Sequence, residues 1–212
     1  MIEKQYLEFL NLLNKEEKDK AITYILNLLK NNDDIIGIYQ NFLIPSLANF
    51  SCDLKNQEIC VWREHTRTSI IRTIIEASYP YIIEKRKNTI KKKVIVVCPQ
   101  EEYHEIGAII SNNYFSLVGF DSMYIGANTP SQDILSAVRI LKPDYIALSV
   151  TNYYNLFVTD KLTKEIKSLY PNVKVIIGGQ AFKSKEAKDQ ITYDHYLNSY
   201  DDILAFSKEV VK

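Results

Sequence analysis

The sequence predicts an α/β protein in two parts: a four-helix bundle, then a five-stranded parallel sheet with helices on both faces. Three observations carry this. Leucines and isoleucines recur at three- and four-residue steps through the first part, the spacing that gathers apolar side chains on one helical face. Beyond Lys93 that rhythm gives way to short, unbroken apolar runs, which mark strands buried on both sides. Amphipathic stretches alternate with those runs, the order of a doubly wound fold.

In the first part, Leu7, Leu10 and Leu13 place one helix, and Ile22, Ile25, Leu26 and Leu29 a second. Asn31, Asn32 and Asp33 break the pattern and offer a helix N-cap. A third helix is expected over residues 34–43, with Pro45 marking its end or the first turn of the next piece. A long last helix, residues 57–85, carries Ile70, Ile71, Ile74 and Ile75. Four antiparallel helices of this size make a bundle. Residues 85–93, KRKNTIKKK, are basic and poor in apolar groups and read as a linker. The expected domains are therefore residues 1–88 and 92–212.

In the second part the strands are VIVVC (94–98), SMYIG (122–126), YIALSV (145–150), KVIIGG (174–179) and a weaker run near 194–197. Helical stretches fall at 105–117, 131–141, 157–169 and 182–190. Five βα units fit a Rossmann-like, flavodoxin-like domain, in which ligands bind outside the carboxyl ends of the strands.

Composition narrows the function classes. Lys plus Arg and Asp plus Glu number 26 each in 212 residues, so the net charge is zero. Direct nucleic-acid binding, which favours a basic excess, is not expected. Cys52, Cys60 and Cys98 are odd in number and form no CxxC pair. They read as small buried hydrophobes, not as a disulfide framework or zinc knuckle. The charged first residues predict no signal peptide, and no apolar run approaches the roughly 20 residues that span a bilayer. A cytoplasmic protein is the expectation. No P-loop, G-x-S-x-G or H-E-x-x-H pattern occurs. The 15 tyrosines, the pair Tyr153-Tyr154 among them, are expected to pack at the surface boundary.

Three segments fall at the expected strand ends. After the first strand comes Glu102-Tyr103-His104-Glu105-Ile106-Gly107; after the third, Ser149-Val150-Thr151; after the fourth, Gly178-Gly179-Gln180-Ala181-Phe182. A neutral imidazole is a good metal ligand, and its other nitrogen needs a partner to fix the tautomer. Glu102 can serve His104 in that way, and the Ser149 hydroxyl can extend the network. Gly107 allows close approach of the helix. Gly178 and Gly179 keep the sheet edge clear of side chains that a bulky ligand would strike.

The joint pattern resembles the cobalamin-binding domain shared by methionine synthase, corrinoid methyl carriers and B12-dependent mutases, with its D-x-H-x-x-G, S-x-L and GG motifs. Here 41 residues separate Gly107 from Ser149, and 26 separate Thr151 from Gly178. The likeness covers about residues 92–212 and includes IGANTP at 125–130 and Lys142-Pro143-Asp144. It implies that His104 ligates the cobalt of adenosylcobalamin or methylcobalamin from below, in place of the dimethylbenzimidazole base. The detached nucleotide tail would enter a slot bordered by Ser149, Thr151, Gly178 and Gly179. By the same likeness Tyr103, Glu105, Ile106 and Phe182 are candidate cofactor contacts. Two positions depart from the family pattern: Glu102 stands where Asp is usual, and Thr151 where Leu is usual.

EICVWREH, residues 58–65, resembles the helical cap that covers the upper corrin face in methionine synthase and B12-dependent photoreceptors. Glu64 and His65 align with the Glu-His pair of that cap, and Trp62 lies close by. The Trp and His that those photoreceptors carry upstream of the pair are Leu54 and Lys55 here, so light sensing by their mechanism is in question. With no winged helix-turn-helix ahead of the bundle, direct DNA reading is not expected. The resemblance implies a non-catalytic cobalamin sensor that signals through a partner protein or self-association. The alternative it leaves open is a corrinoid protein that carries methyl groups for a methyltransferase.

Overall fold

The computed structural model describes residues 2–31, 34–50, 57–87 and 89–211, with 57–59 as backbone only. The chain divides into two compact units, residues 1–84 and 85–212. Leu54, Lys55, Cys52 and the N-cap candidates Asn32 and Asp33 lie outside the described residues.

The first unit is helical: α1 (Ile2–Asn14), α2 (Lys18–Lys30), α3 (Ile35–Ile38), α4 (Ile44–Ala48), α5 (Gln57–Ala77) and α6 (Tyr79–Lys85). A wide π turn, Tyr39–Leu43, joins α3 to α4, so the third helix runs on through Pro45. Pro45 takes the first turn of α4, where its missing N–H costs little. The last helix, expected as one piece over 57–85, is broken at Ser78. Pro80 explains the break: it stands in the first turn of α6, where it cannot donate to the preceding turn. Phe9, Ile25, Tyr39, Leu43, Ile71 and Ile74 are fully buried in this unit's core.

Arg63 and Arg67, one turn apart on α5, secure that core from the side. Arg63 donates to the Asn14 carbonyl at 2.7 Å and pairs with Glu16 at 2.6 Å. Arg67 donates to Asn14 Oδ1 and, at 3.2 Å, to the Ser46 carbonyl. Both cations thus sit at the carbonyl end of α1, the negative end of its dipole. Cys60 differs from expectation: it is half-buried and disulfide-bonded, whereas Cys98 is the free, buried thiol that was foreseen.

The second unit is a parallel sheet of β1 (Lys93–Pro99), β2 (Asp121–Thr129), β3 (Tyr145–Ser149), β4 (Lys174–Gly178) and β5 (His195–Tyr196), in the order β2-β1-β3-β4-β5. Its helices are α7 (Ile106–Val118), α8 (Ser131–Leu141), α9 (Leu156–Leu169), α10 (Lys185–Asp189) and α11 (Tyr200–Val210). Side chains alternate across the sheet. Ile95, Val97, Ile146, Leu148, Val175 and Ile177 form one core with α8, α9 and α10. Val96, Ala147 and Ile176 face α7 and α11 on the other side. β2 is added on one side of β1 and β3 on the other, so the strand order reverses between β1 and β3, the switch point at which a doubly wound sheet opens a crevice. Within the run read as a linker, Ile90 is buried and donates to the Gly119 carbonyl at 2.8 Å, so its last residues are built into this unit. No helix among the described residues is long and apolar enough to cross a membrane.

Candidate functional site

The site begins with a strained loop at the carboxyl end of β1. Glu101 has φ +67° and Asn128, at the end of β2, φ +47°, both left-handed conformations that side chains resist. They hold one another in place: Asn128 Oδ1 accepts the Glu101 N–H, and the Asn128 N–H donates to the Glu102 carbonyl, each at 2.8 Å. Strain of this kind persists only where surroundings over-determine it. Here it turns Glu102 inward, to the switch point.

Glu102 is completely buried, yet every part of its carboxylate is used. Oε1 accepts the His104 backbone N–H at 3.0 Å and stands 2.6 Å from His104 Nδ1. Oε2 accepts the N–H groups of Thr151 (2.9 Å) and Asn152 (2.8 Å) and the Asn155 amide (3.1 Å). Burial alone would raise the carboxyl pKa, but the bonds from Asn152, His104 and Thr151 outweigh it and hold Glu102 below the usual range. An ionised Glu102 accepts only, so the short contact requires the proton on Nδ1. Nε2 of the neutral ring then carries the lone pair. The His104 side chain is 62% exposed, and Nε2 has no partner among the described residues. A fixed tautomer with a free outer nitrogen is the arrangement of a metal ligand.

The network leaves out the Ser149 hydroxyl, which was expected to extend it. Thr151 contributes its backbone, and Asn152 and Asn155 take the remaining places. The Asn-rich run after β3, T-N-Y-Y-N, was the sequence signal for these two donors. Ser149 instead lines a small cavity, about 20 Å³, between the sheet and helices α7 and α11. It is 9% exposed, and its hydroxyl has no partner among the described residues. Gly178 lines the same cavity; Thr151 and Gly179 do not.

The two glycines also have reasons internal to the chain. A Cβ at Gly178 would meet the Leu197 carbonyl oxygen at 2.5 Å, and one at Gly179 (φ +103°) would collide with the Val150 backbone. They let strands and turns close up, in addition to any room they leave for a ligand.

Of the other expected contacts, Tyr103 is exposed beside His104, and Ile106 is buried at the start of α7. Glu105 accepts the Tyr124 hydroxyl at 2.9 Å. Phe182 lies wholly inside the core with Val150 and Leu156 and supports the turn after β4. Tyr153 and Tyr154 are exposed, Tyr154 at 87%, and are not packed as expected. In the helical unit, Trp62, Glu64 and His65 are exposed on α5. Glu64 and His65 have no hydrogen bond or ion pair among the described residues.

The donor set fits a metal that arrives already held. Among the described residues no three His, Cys, Asp or Glu side chains gather to bind a bare ion. A single oriented imidazole suits a cobalt whose equatorial positions a corrin fills. A Cβ at Gly107 would make only ordinary contact with Ser149 Oγ, at 3.8 Å.

Fold and site together define a flavodoxin-like cofactor-binding module with one exposed, carboxylate-oriented imidazole at its switch point. The B12 binding domain family matches residues 92–197, and the chain belongs to that family; its cofactor is a cobalamin. The chain is 24% identical over 128 residues to the HTH-type transcriptional repressor CarA of Myxococcus xanthus, covering 60% of this chain and 42% of that protein. It is 23% identical over 151 residues to the repressor CarH of the same organism, covering 70% of this chain and 49% of that protein. It therefore spans less than half the length of these curated relatives. The structure of the Methanosarcina barkeri monomethylamine corrinoid protein shares the fold over 99% of this chain and 100% of that one, with a TM-score of 0.79 and 12% identity.

Proposed function

We propose that the chain is a cobalamin-holding regulatory protein in which His104 Nε2 ligates cobalt from below and the helical unit covers the upper corrin face. The observation that carries the ligand assignment is the fully satisfied Glu102 carboxylate, which fixes the tautomer of an exposed imidazole. Glu102, Asn152 and Asn155 orient His104, and Ser149 and Gly178 border the slot for the nucleotide tail. Trp62, Glu64 and His65 on α5 are the residues for the upper face, since they expose an indole, a carboxylate and an imidazole, and the last two have no hydrogen bond or ion pair among the described residues. Bound cobalamin supplies a cobalt whose upper ligand exchanges, which suits it to register light or ligand or to carry a methyl group.

The sequence relation to two proteins named as repressors favours the regulatory reading, with a partner protein or a second copy of the chain as the receiver. The second reading, a corrinoid methyl carrier, is favoured by the fold shared with a corrinoid protein along the full length of both chains. Reconstitution with adenosyl-, methyl- and hydroxocobalamin, in the dark and after illumination, separates them. A base-off, histidine-ligated spectrum lost in His104→Ala supports the ligand. A change of elution volume on illumination supports the regulator; demethylation only by a partner methyltransferase, with elution unchanged, supports the carrier. Failure of all three forms to bind would overturn both.

A further inference from the structure

The two arginines of α5 differ in what answers their charge. Arg63 has a carboxylate, Glu16, at 2.6 Å. Arg67, one turn on, is 5% exposed and meets neutral groups: Asn14 Oδ1, the Ser46 carbonyl at 3.2 Å and the Phe50 ring, 4.7 Å from its guanidinium carbon. No carboxylate pairs with it among the described residues. The carbonyl end of α1 offers only about half an elementary charge, and Arg63 shares it. Burial lowers the Arg67 pKa from its ordinary value; the Tyr6 charge works against that lowering and Arg63 adds to it. Buried cations are normally paired, so what this place calls for is a negative charge.

It also has spare donors. Three buried polar atoms of the helical unit have no hydrogen-bond partner among the described residues: Arg67 Nε, Ser46 Oγ and the Tyr6 hydroxyl. They belong to one cluster. Arg67 bonds the Ser46 backbone, Ser46 follows Phe42 by four residues, and the Phe42 ring meets the Tyr6 ring edge-on at 6.4 Å. The π turn Tyr39–Leu43 carries Phe42 into α4, and such turns are frequent at functional sites. Ser46 is fully buried, and orphaned donors inside a core are costly to keep. One N–H and two O–H groups can all donate at once. A water molecule would use them and leave the cation unanswered, whereas an anion does both.

We propose that Arg67 Nε, the Ser46 hydroxyl and the Tyr6 hydroxyl hold one small monovalent anion, of the size and charge of chloride, inside the helical unit. One negative charge matches the one unanswered guanidinium; a divalent anion would bring a second, unpaired charge into the core. Held there, the ion ties α1, α4 and α5 together, since Tyr6, Ser46 and Arg67 come one from each. Cobalamin takes no part, so this site stands or falls independently of the function proposed above.

Titration of the full chain with sodium chloride, with sodium methanesulfonate holding the ionic strength constant, tests this. Above the dissociation constant, each tenfold rise in chloride should raise the melting temperature by roughly 4 °C, the linkage of a single bound ion. The chloride NMR resonance should broaden in parallel. Ser46→Ala and Tyr6→Phe each remove one orphaned hydroxyl. They should leave the melting temperature without chloride unchanged or higher, and weaken chloride binding about five- to tenfold, the worth of one hydrogen bond. Arg67→Met should abolish the chloride response; if that variant does not fold, the two hydroxyl variants decide. A melting temperature independent of chloride overturns the proposal and leaves water at most in this place. A chloride response that survives Arg67→Met, or that either hydroxyl variant leaves unaltered, puts the ion elsewhere and overturns it as well.

Discussion

The switch point of the sheet and the outer face of α5 handle charge in opposite ways. At the switch point Glu102 is buried and meets five hydrogen-bond contacts drawn from two loops. On α5, Glu64 and His65 are exposed, with Val61 and Trp62 beside them, and the acid and the imidazole meet nothing among the described residues. The first arrangement is complete before any ligand arrives, whereas the second is only a set of exposed groups. A preformed site has its orientation cost met during folding. The proposed lower ligand, His104, should therefore behave as part of the fold, and the proposed upper face as something formed on binding.

The hardest break in that contrast is Glu102→Ala. It strands the N–H groups of Thr151 and Asn152 and the Asn155 amide in a buried space. A loss of about 3 kcal/mol is expected from urea unfolding, the usual cost of removing one partner from a buried charged network. His104→Ala removes the other end of the same short contact, yet its side chain is mostly in water. Stability should change by less than about 0.5 kcal/mol, while cobalamin affinity falls at least tenfold by absorbance titration. Equal stability losses in the two variants would erase the distinction between carboxylate as scaffold and imidazole as ligand.

Next in size is Asp194→Asn, at the other end of the sheet. Asp194 accepts the Val175 N–H at 2.7 Å and pairs with Lys167 at 2.5 Å. Burial alone would raise its pKa, but Lys167 and the Val175 N–H hold it below the ordinary carboxylate range. A depressed folded pKa stabilises above the unfolded value, about 3.9, and that contribution is lost as pH falls through the lower folded value. Asp194→Asn should cost about 1–2 kcal/mol at neutral pH. In urea titrations its deficit should shrink as pH drops below about 4, leaving the two chains alike in strong acid.

How much of this was legible in the sequence differs by scale. The strands were legible because VIVVC, YIALSV and KVIIGG are unbroken apolar runs, and a parallel sheet buries both faces of such runs. His104 was legible because motif spacing encodes its place after β1. The break at Ser78 was missed because the isoleucine rhythm from Ile70 to Ile75 masks the effect of Pro80. Asn152 and Asn155 were missed for another reason: their role depends on β3 lying beside β1, and two asparagines in a loop ordinarily signal no more than a turn. Gly179 looked like clearance for a ligand, but only the fold reveals that Val150's backbone occupies the space a Cβ would need.

The smallest effect on stability is expected at α5. Glu64→Ala and His65→Ala remove exposed groups with no partner among the described residues, so each should shift unfolding by less than about 0.5 kcal/mol. If α5 covers the upper corrin face, the double variant should still take up hydroxocobalamin, because the Glu102–His104 pair is untouched. Its visible spectrum and its rate of cobalamin release should nonetheless differ from those of the unsubstituted chain, since the upper ligand's surroundings change. A double variant with unaltered spectrum and release would place Glu64 and His65 away from the cofactor. It would leave α5 as a solvated face, and the contrast with the switch point would then be between a site and plain surface.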